Sequence, residues 1–535
     1  MKKLISQYYI YGVITLWAIV CFLFYQQYYS YHFFYKEQNQ IFLLSCGYIA
    51  TYFSKPGWAA CMAGDFLTQF YYYLYAGAVI LTTSLLLMGD LLRRAFQRAG
   101  FGMSAFWIAI IAMTLEAVCH LKADFGLSST FAIIGGTTVY LLSSFIFDRK
   151  VWIKIPVMIV ATFVSYWMFG YGLWVFQILI SVHLLRKCRK HPYHWGTMVY
   201  LIPLYSFFLI ITVGRSYYLL STDDAITYPG IGKLSMPNFE LEDYMSVDNE
   251  YYFGHYRRVM MLTEKIKERT PEICFYYNLS LAQQDLLADK LLSIQPTDLG
   301  TFYRINVNTP ITVIKMMNEL YDALGDMTFT ERAAMMANVF SPNNRNVRML
   351  KRLAEANLVT NDTAAAMKYL RILDKTIVYR RWAEEHIPAT QSSTVKKEIA
   401  NKRQYLNKTD TIRITDDCRS IMLGLLQSNP NNKIALNYLL CSDLLLKDIA
   451  HFKSDYDRFC ISTKRPLANS IYQQALMIYL AGTKSGKEEW NRYIISPSLM
   501  KDFSDYNQHR GDTTALSLFK DTYWYYFDYF KIRRQ

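Results

Sequence analysis

Apolar residues form long runs in the first part of the chain and fall at helical spacing in the rest. The runs are Tyr8–Tyr29, Leu67–Met88, Phe101–Val118, Leu127–Phe147, Ile153–Phe169, Gly172–Leu185 and Met198–Gly214. Each is near the ~20 residues a helix needs to cross the hydrocarbon of a bilayer, the sixth being the shortest. The pattern predicts a bundle of seven transmembrane helices over residues 1–215. The first run follows Met1-Lys2-Lys3, is rich in Tyr, Phe and Trp, and lacks a small-x-small cleavage site. It reads as an uncleaved span rather than a signal peptide. Ile41–Phe53 is too short to span and reads as an interfacial or re-entrant helix, broken by Lys55-Pro56-Gly57.

After Arg215 the solvent changes. Ser216–Pro237, with Pro229-Gly230 and Gly232, reads as a linker. From Asn238 to Gln535 the chain is polar and patterned in helix pairs. Predicted members are one or two helices in Asn238–Arg269, then Glu272–Gln283 with Leu286–Ile294, and Thr309–Leu324 with Thr330–Val339. Asn346–Thr360 with Asp362–Asp374 and Ile434–Leu446 with Asp448–Cys460 follow, opened by the echoing Ser341-Pro342-Asn343-Asn344 and Asn429-Pro430-Asn431-Asn432. Pro fits a helix start because it lacks the orphan donor, and Asn caps free amides. Ala389–Thr411 reads as an exposed excursion, and the aromatic Thr522–Phe530 as a cap on the last pair. The fold class is all-α.

Charge orients this plan. Of 57 Lys+Arg and 43 Asp+Glu, residues 1–215 hold 16 and 6, so the net charge of +14 belongs mainly to the membrane half. Nucleic-acid binding, which needs a basic face on the soluble part, is not expected. With a cytoplasmic N-terminus, the inner segments hold Lys2, Lys3, Arg93, Arg94, Arg98, Arg149, Lys150, Lys154, Arg186, Lys187, Arg189 and Lys190. The outer segments hold only Lys36, Lys55 and Lys122. The positive-inside rule then places the tail outside the cytoplasm, in the periplasm of a bacterial inner membrane. None of the nine cysteines forms a C-x-x-C pair or a Cys/His cluster, and all read as small buried hydrophobes.

Four residues are candidates for chemistry. Glu37 and Asp65 flank the only long outer segment, Tyr31–Phe66, where paired carboxylates suit a general base or a divalent metal, or lie as solvated charges. Glu116 and His120 stand i and i+4 at the outer end of the third run and share one helix face. A carboxylate within an apolar span is costly and marks either a polar site or a helix-end ion pair.

Three resemblances follow from these residues. The tail's helix pairs with small residues at their crossings resemble tetratricopeptide-type repeats over about 270–480. Glu37–Gln40, Lys55–Gly57, Asp65–Phe70 and the Asn-Pro-Asn-Asn pairs make the whole chain resemble a family, of unknown function, of bacterial multi-pass inner-membrane proteins. That likeness implies architecture and no activity. The layout also resembles membrane glycosyltransferases of the GT-C type, which implies a lipid-linked donor, Glu37 and Asp65 as the working carboxylates, and a divalent metal. Otherwise no cofactor is evident. The first expectation is an interaction scaffold in envelope biogenesis that binds a protein or peptide on its repeats, with the bilayer as its other partner.

Overall fold

A computed structural model describes residues 2–146, 151–188, 204–304, 309–408, 417–510 and 515–531. The described residues are helical, with no strand among them. Two units divide the chain. The first holds Met1–Glu242 together with Arg345–Val347 and Ile372–Ala383, and the second holds the remainder.

The first unit is built from α1 (Lys2–Gln27), α2 (Tyr31–Gln38), α3 (Cys46–Ala50), α4 (Trp58–Thr68), α5 (Ala76–Arg98), α6 (Ser104–Cys119), α7 (Leu127–Ser144), α8 (Val151–Phe169) and α9 (Gly172–Cys188). Among the described residues, three helices are long and apolar enough to cross a membrane: α1 over Tyr8–Gln27, α5 and α7. Ser104–Cys119, Ile155–Phe169 and Gly172–Arg186 are shorter apolar helices. Of the seventh expected span, 198–203 lies outside the described residues, and its end runs into a π-helical turn, Ile210–Tyr217.

Helix α7 is the centre of this unit and packs against α4, α5, α8 and α9. Its sequence explains why. Gly135 faces the Phe169 ring, and a Cβ on Gly136 would lie 2.1 Å from the Gly172 carbonyl oxygen. Across α4, a Cβ on Gly64 would lie 2.4 Å from the Ser128 nitrogen. Small residues let apolar helices approach backbone to backbone, where dispersion holds them. The loop between α5 and α6 is basic on its flanks. Arg186 lies over the Phe101 ring at 3.6 Å, and Arg98 over Phe145 at 4.2 Å.

Two expectations for this unit are corrected, and the segment expected to be a linker is structured. The helix expected as the second span starts at Ala76, not Leu67. The apolar run there is cut because α4 ends at Thr68, Gln69–Tyr72 is a 3₁₀ turn, and Tyr75 takes a left-handed φ of 68°. Ile41–Phe53 is not one helix; it holds the short α3 and a 3₁₀ turn, Thr51–Ser54, and Leu44 N instead donates to the Lys375 carbonyl at 2.7 Å. Ser216–Pro237 carries α10 (Thr222–Thr227) and is tied down along its length. Tyr166 Oη and Trp174 Nε1 donate to the Ala225 and Ile226 carbonyls, both at 3.0 Å, and Tyr171 N to that of Tyr228 at 2.7 Å.

The second unit draws on α11 (Phe239–Tyr252), α12 (Tyr256–Lys265), α13 (Pro271–Gln283), α14 (Ile311–Leu324), α15 (Met327–Val339), α16 (Val347–Thr360), α17 (Thr363–Leu373), α18 (Arg380–His386), α19 (Ser393–Arg403), α20 (Cys418–Ser428), α21 (Lys433–Leu445), α22 (Ile449–Tyr456) and α23 (Ser470–Gly482). The pairs α12–α13, α14–α15, α20–α21, α21–α22 and α22–α23 pack on one another. One turn recurs. Gly325, Asn361 and Lys447 each take a positive φ after a helix, and the Asp that follows caps the next one. Asp326 accepts from Phe329 N at 3.3 Å, Asp362 from Ala365 N at 2.9 Å and Asp448 from His451 N at 3.0 Å. The left-handed residue reverses the chain, and the Asp satisfies amides that a helix start leaves orphaned.

Charge is buried inside this unit. Arg348 is fully enclosed and grips both carboxylate oxygens of Asp248 at 2.9 Å, with Glu319 at 2.9 Å on its other side. Arg352 reaches Glu319 at 2.6 Å, and Lys402 reaches Asp322 at 2.7 Å. The network ties α11, α14, α16 and α19 together. Most described residues of the expected excursion Ala389–Thr411 are exposed, as its polar sequence implies, and α19 lies within it; 409–411 lies outside the described residues. The expected helix Leu286–Ile294 is replaced by turns. Asp285 (φ 59°) ends α13 and Leu286 N closes back on the Leu281 carbonyl at 2.8 Å.

Candidate functional site

Helix α2 places charged residues on two sides of itself. Glu37 is 2% exposed and accepts a hydrogen bond from the Tyr379 hydroxyl on Oε2 at 3.0 Å. Tyr379 is set by its own amide, which donates to Thr376 Oγ1 at 3.0 Å, and by the edge of Tyr72 at 5.3 Å. Burial pushes the Glu37 carboxyl well above the usual range, with the tyrosine bond pulling weakly the other way. Burial of this kind disfavours the charged form of a carboxyl.

Asp65 lies on α4 and is half-buried. Its Oδ2 accepts from the Tyr52 hydroxyl at 2.8 Å. The Tyr48 hydroxyl stands 3.2 Å from that of Tyr52, donates to the Ile41 carbonyl at 2.6 Å, and accepts from Arg345 Nη1 at 3.0 Å. Burial raises Asp65 to about 6, against the lowering pull of Tyr52 and Arg345. Gln40 Nε2 donates to the Asp65 carbonyl at 3.0 Å, so the two acidic candidates share a junction between α2 and α4. Each carboxylate has its own tyrosine partner.

Glu116 and His120 meet through a third residue. Thr130 Oγ1 donates to Glu116 Oε1 at 2.7 Å and sits 2.8 Å from His120 Nε2. With its one proton given to Glu116, Thr130 accepts from His120, which assigns the imidazole proton to Nε2. All three are buried, and the direct His120–Glu116 separation is 3.9 Å. Burial first, then the nearby Lys36, holds the imidazole well below its ordinary pKa.

Lys36, on the other side of α2 from Glu37, donates to the His120 carbonyl at 3.2 Å. Burial brings its ammonium down to about 7, with Asp124 and Glu242 opposing. Glu242 accepts from Tyr31 N at 2.6 Å, and its other oxygen lies 3.9 Å from His32 Nδ1. His32, Lys36, Thr130 and Glu242 therefore extend the Glu116–His120 pair into one buried polar cluster. Sequence reasoning passed over them because no spacing links positions 211 residues apart, as Tyr31 and Glu242 are.

Among the described residues no three His, Cys, Asp or Glu side chains converge so as to hold a metal ion. Two cavities of the second unit are lined by none of the four candidates. One, of about 630 Å³, lies between Pro296, Leu299, Leu445, Tyr526 and Phe530; the other, of about 510 Å³, lies against His255, Arg257 and Arg258.

Comparison with known proteins decides the family. A family model described as a family of unknown function (DUF6057) matches residues 6–530. The chain belongs to DUF6057. The match takes in every residue of the clusters above. No curated protein and no solved structure matches the chain.

Proposed function

We propose that this chain is a multi-pass membrane protein of a bacterial inner membrane that presents a tetratricopeptide-like helical-repeat scaffold to the periplasm, where it binds a protein partner in envelope biogenesis. The observation that carries the reading is on α15. Met335, Met336, Val339 and the following Phe340 are 44%, 39%, 53% and 63% exposed and form one apolar row on a helix of the polar unit. Repeat scaffolds use such rows to bind a partner's apolar segment. The seven-span bundle, with a cytoplasmic N-terminus, rests on the apolar helices and on the distribution of basic residues.

The GT-C alternative needs Glu37 or Asp65 as a working carboxylate. Glu37 is enclosed and engaged with Tyr379, which fits a structural clasp better than a base open to substrate. Two measurements on the full chain test the choice. A photo-crosslinking residue at Met336 or Phe340 is expected to give one discrete protein adduct in intact cells, absent when the crosslinker sits at Glu488. Glu37→Gln is expected to leave the cellular phenotype intact at unchanged abundance. Loss of phenotype in an abundant Glu37→Gln protein, with no adduct at α15, would reverse the preference.

A further inference from the structure

Between Tyr228 and α11 the chain crosses the end of the first unit where α1 and α6 finish and α7 begins. Its backbone is fixed at three points. The Gly230 carbonyl accepts from Ser129 Oγ. Gly232 lies so close to α6 that a Cβ there would fall 2.6 Å from Cys119 Sγ and 3.1 Å from the Phe125 ring. Asn238 N donates to the Tyr29 hydroxyl at 3.1 Å. Only glycine fits at the middle point, so the strap is seated rather than draped.

Its side chains go the other way. Ile231, Leu234 and Met236 are 48%, 66% and 88% exposed, and Lys233 is exposed between them. Holding three large apolar side chains in water costs free energy that a free linker would avoid by collapsing. Here the pinned backbone prevents collapse, so the exposed groups need an outside apolar phase. The nearest one on this unit is the phase that covers the flanks of the same helices, where Val20, Leu23, Ile111 and Leu115 are exposed in α1 and α6. A strap at the helix ends with apolar side chains around one lysine suits the boundary between acyl chains and phosphates.

We propose that Gly230–Pro237 is an interfacial lipid-binding strap, with Ile231, Leu234 and Met236 set in the acyl boundary and Lys233 at the lipid phosphates. The proposal rests on the reading that the bundle spans a bilayer, and the test separates the two. In the full chain carrying Cys46→Ser, an environment-sensitive fluorophore is attached at Met236→Cys, at Leu234→Cys, or at Val20→Cys, two turns inside the end of α1. The unsubstituted parent serves as the blank. Each protein is reconstituted in phosphatidylcholine–phosphatidylglycerol vesicles bearing a nitroxide either next to the headgroup or near the chain end.

The expected result is stronger quenching of Leu234→Cys and Met236→Cys by the headgroup nitroxide, and stronger quenching of Val20→Cys by the deep one. Quenching at Val20 with none at either strap position overturns the strap and leaves the membrane bundle standing. A blue-shifted but unquenched strap label, the signature of a protein cover, likewise overturns it. No quenching at any of the three positions overturns both.

Discussion

Among single residues, the two acidic candidates separate by what surrounds them. Glu37 and Asp65 were visible in the sequence as carboxylates near a predicted membrane surface, a place where carboxylates do chemistry or hold structure. What decides between those roles is the partner, and Tyr379 lies 342 residues from Glu37, beyond any spacing rule. Asp65 offers a measurable consequence. Its proton is held more tightly in the folded chain, with the pKa raised from 3.8 to about 6 by burial. Its contribution therefore favours the fold at low pH and fades as pH rises through about 6. Asp65→Asn is expected to remove that slope. The stability difference between parent and variant, followed by thermal unfolding in detergent from pH 4 to pH 7, should shift in the variant's favour as pH rises. A difference that stays flat across this window would mean that Asp65 is not perturbed.

Whole helices were the most legible feature. The long apolar runs and the polar helix pairs give most helices within a few residues, because the 3.6 period and the capping residues are local signals. The misses share a cause. The run from Leu67 reads as a span because Phe70 to Leu74 is aromatic and apolar, yet Tyr75 in a left-handed conformation starts α5 after it. Leu286–Ile294 has apolar spacing but follows a reversal at Asp285 that nothing in its own composition announces. Close packing at α7 was equally hidden, since Gly135-Gly136 reads as weak helix rather than as an interface. Gly136→Val is expected to force α7 from α9, because its first added carbon already falls 2.1 Å from the Gly172 oxygen. Size-exclusion of the detergent-solubilised variant should show aggregation or loss of the folded peak. Gly12→Val, where no heavy atom lies within 4 Å of a Cβ, should behave as the parent.

At the level of the whole molecule, the change from apolar runs to polar pairs was plain in the sequence, and the topology that it implies is open to a direct check. A reporter active only in the cytoplasm, fused after Gln535, is expected to be silent, while the same reporter after Arg98 should be active; activity at both would discard the seven-span plan. What no reading along the chain reveals is that Arg345–Val347 and Ile372–Ala383 belong to the first unit, while the residues between and around them belong to the second. This interleaving has a consequence for biosynthesis. A ribosome delivers the chain from its N-terminus, so the nine helices α1–α9 are all made before Tyr379 emerges. Asn39 waits for Asn346, which lies 3.1 Å from it in the finished protein, and Glu37 waits longer still, until Tyr379 supplies the phenol that closes over it. From the end of α9 at Cys188 the first unit must therefore wait, incomplete, until Tyr379 is made, and a stalled or truncated product ending before residue 379 would expose a carboxyl that is buried in the finished protein.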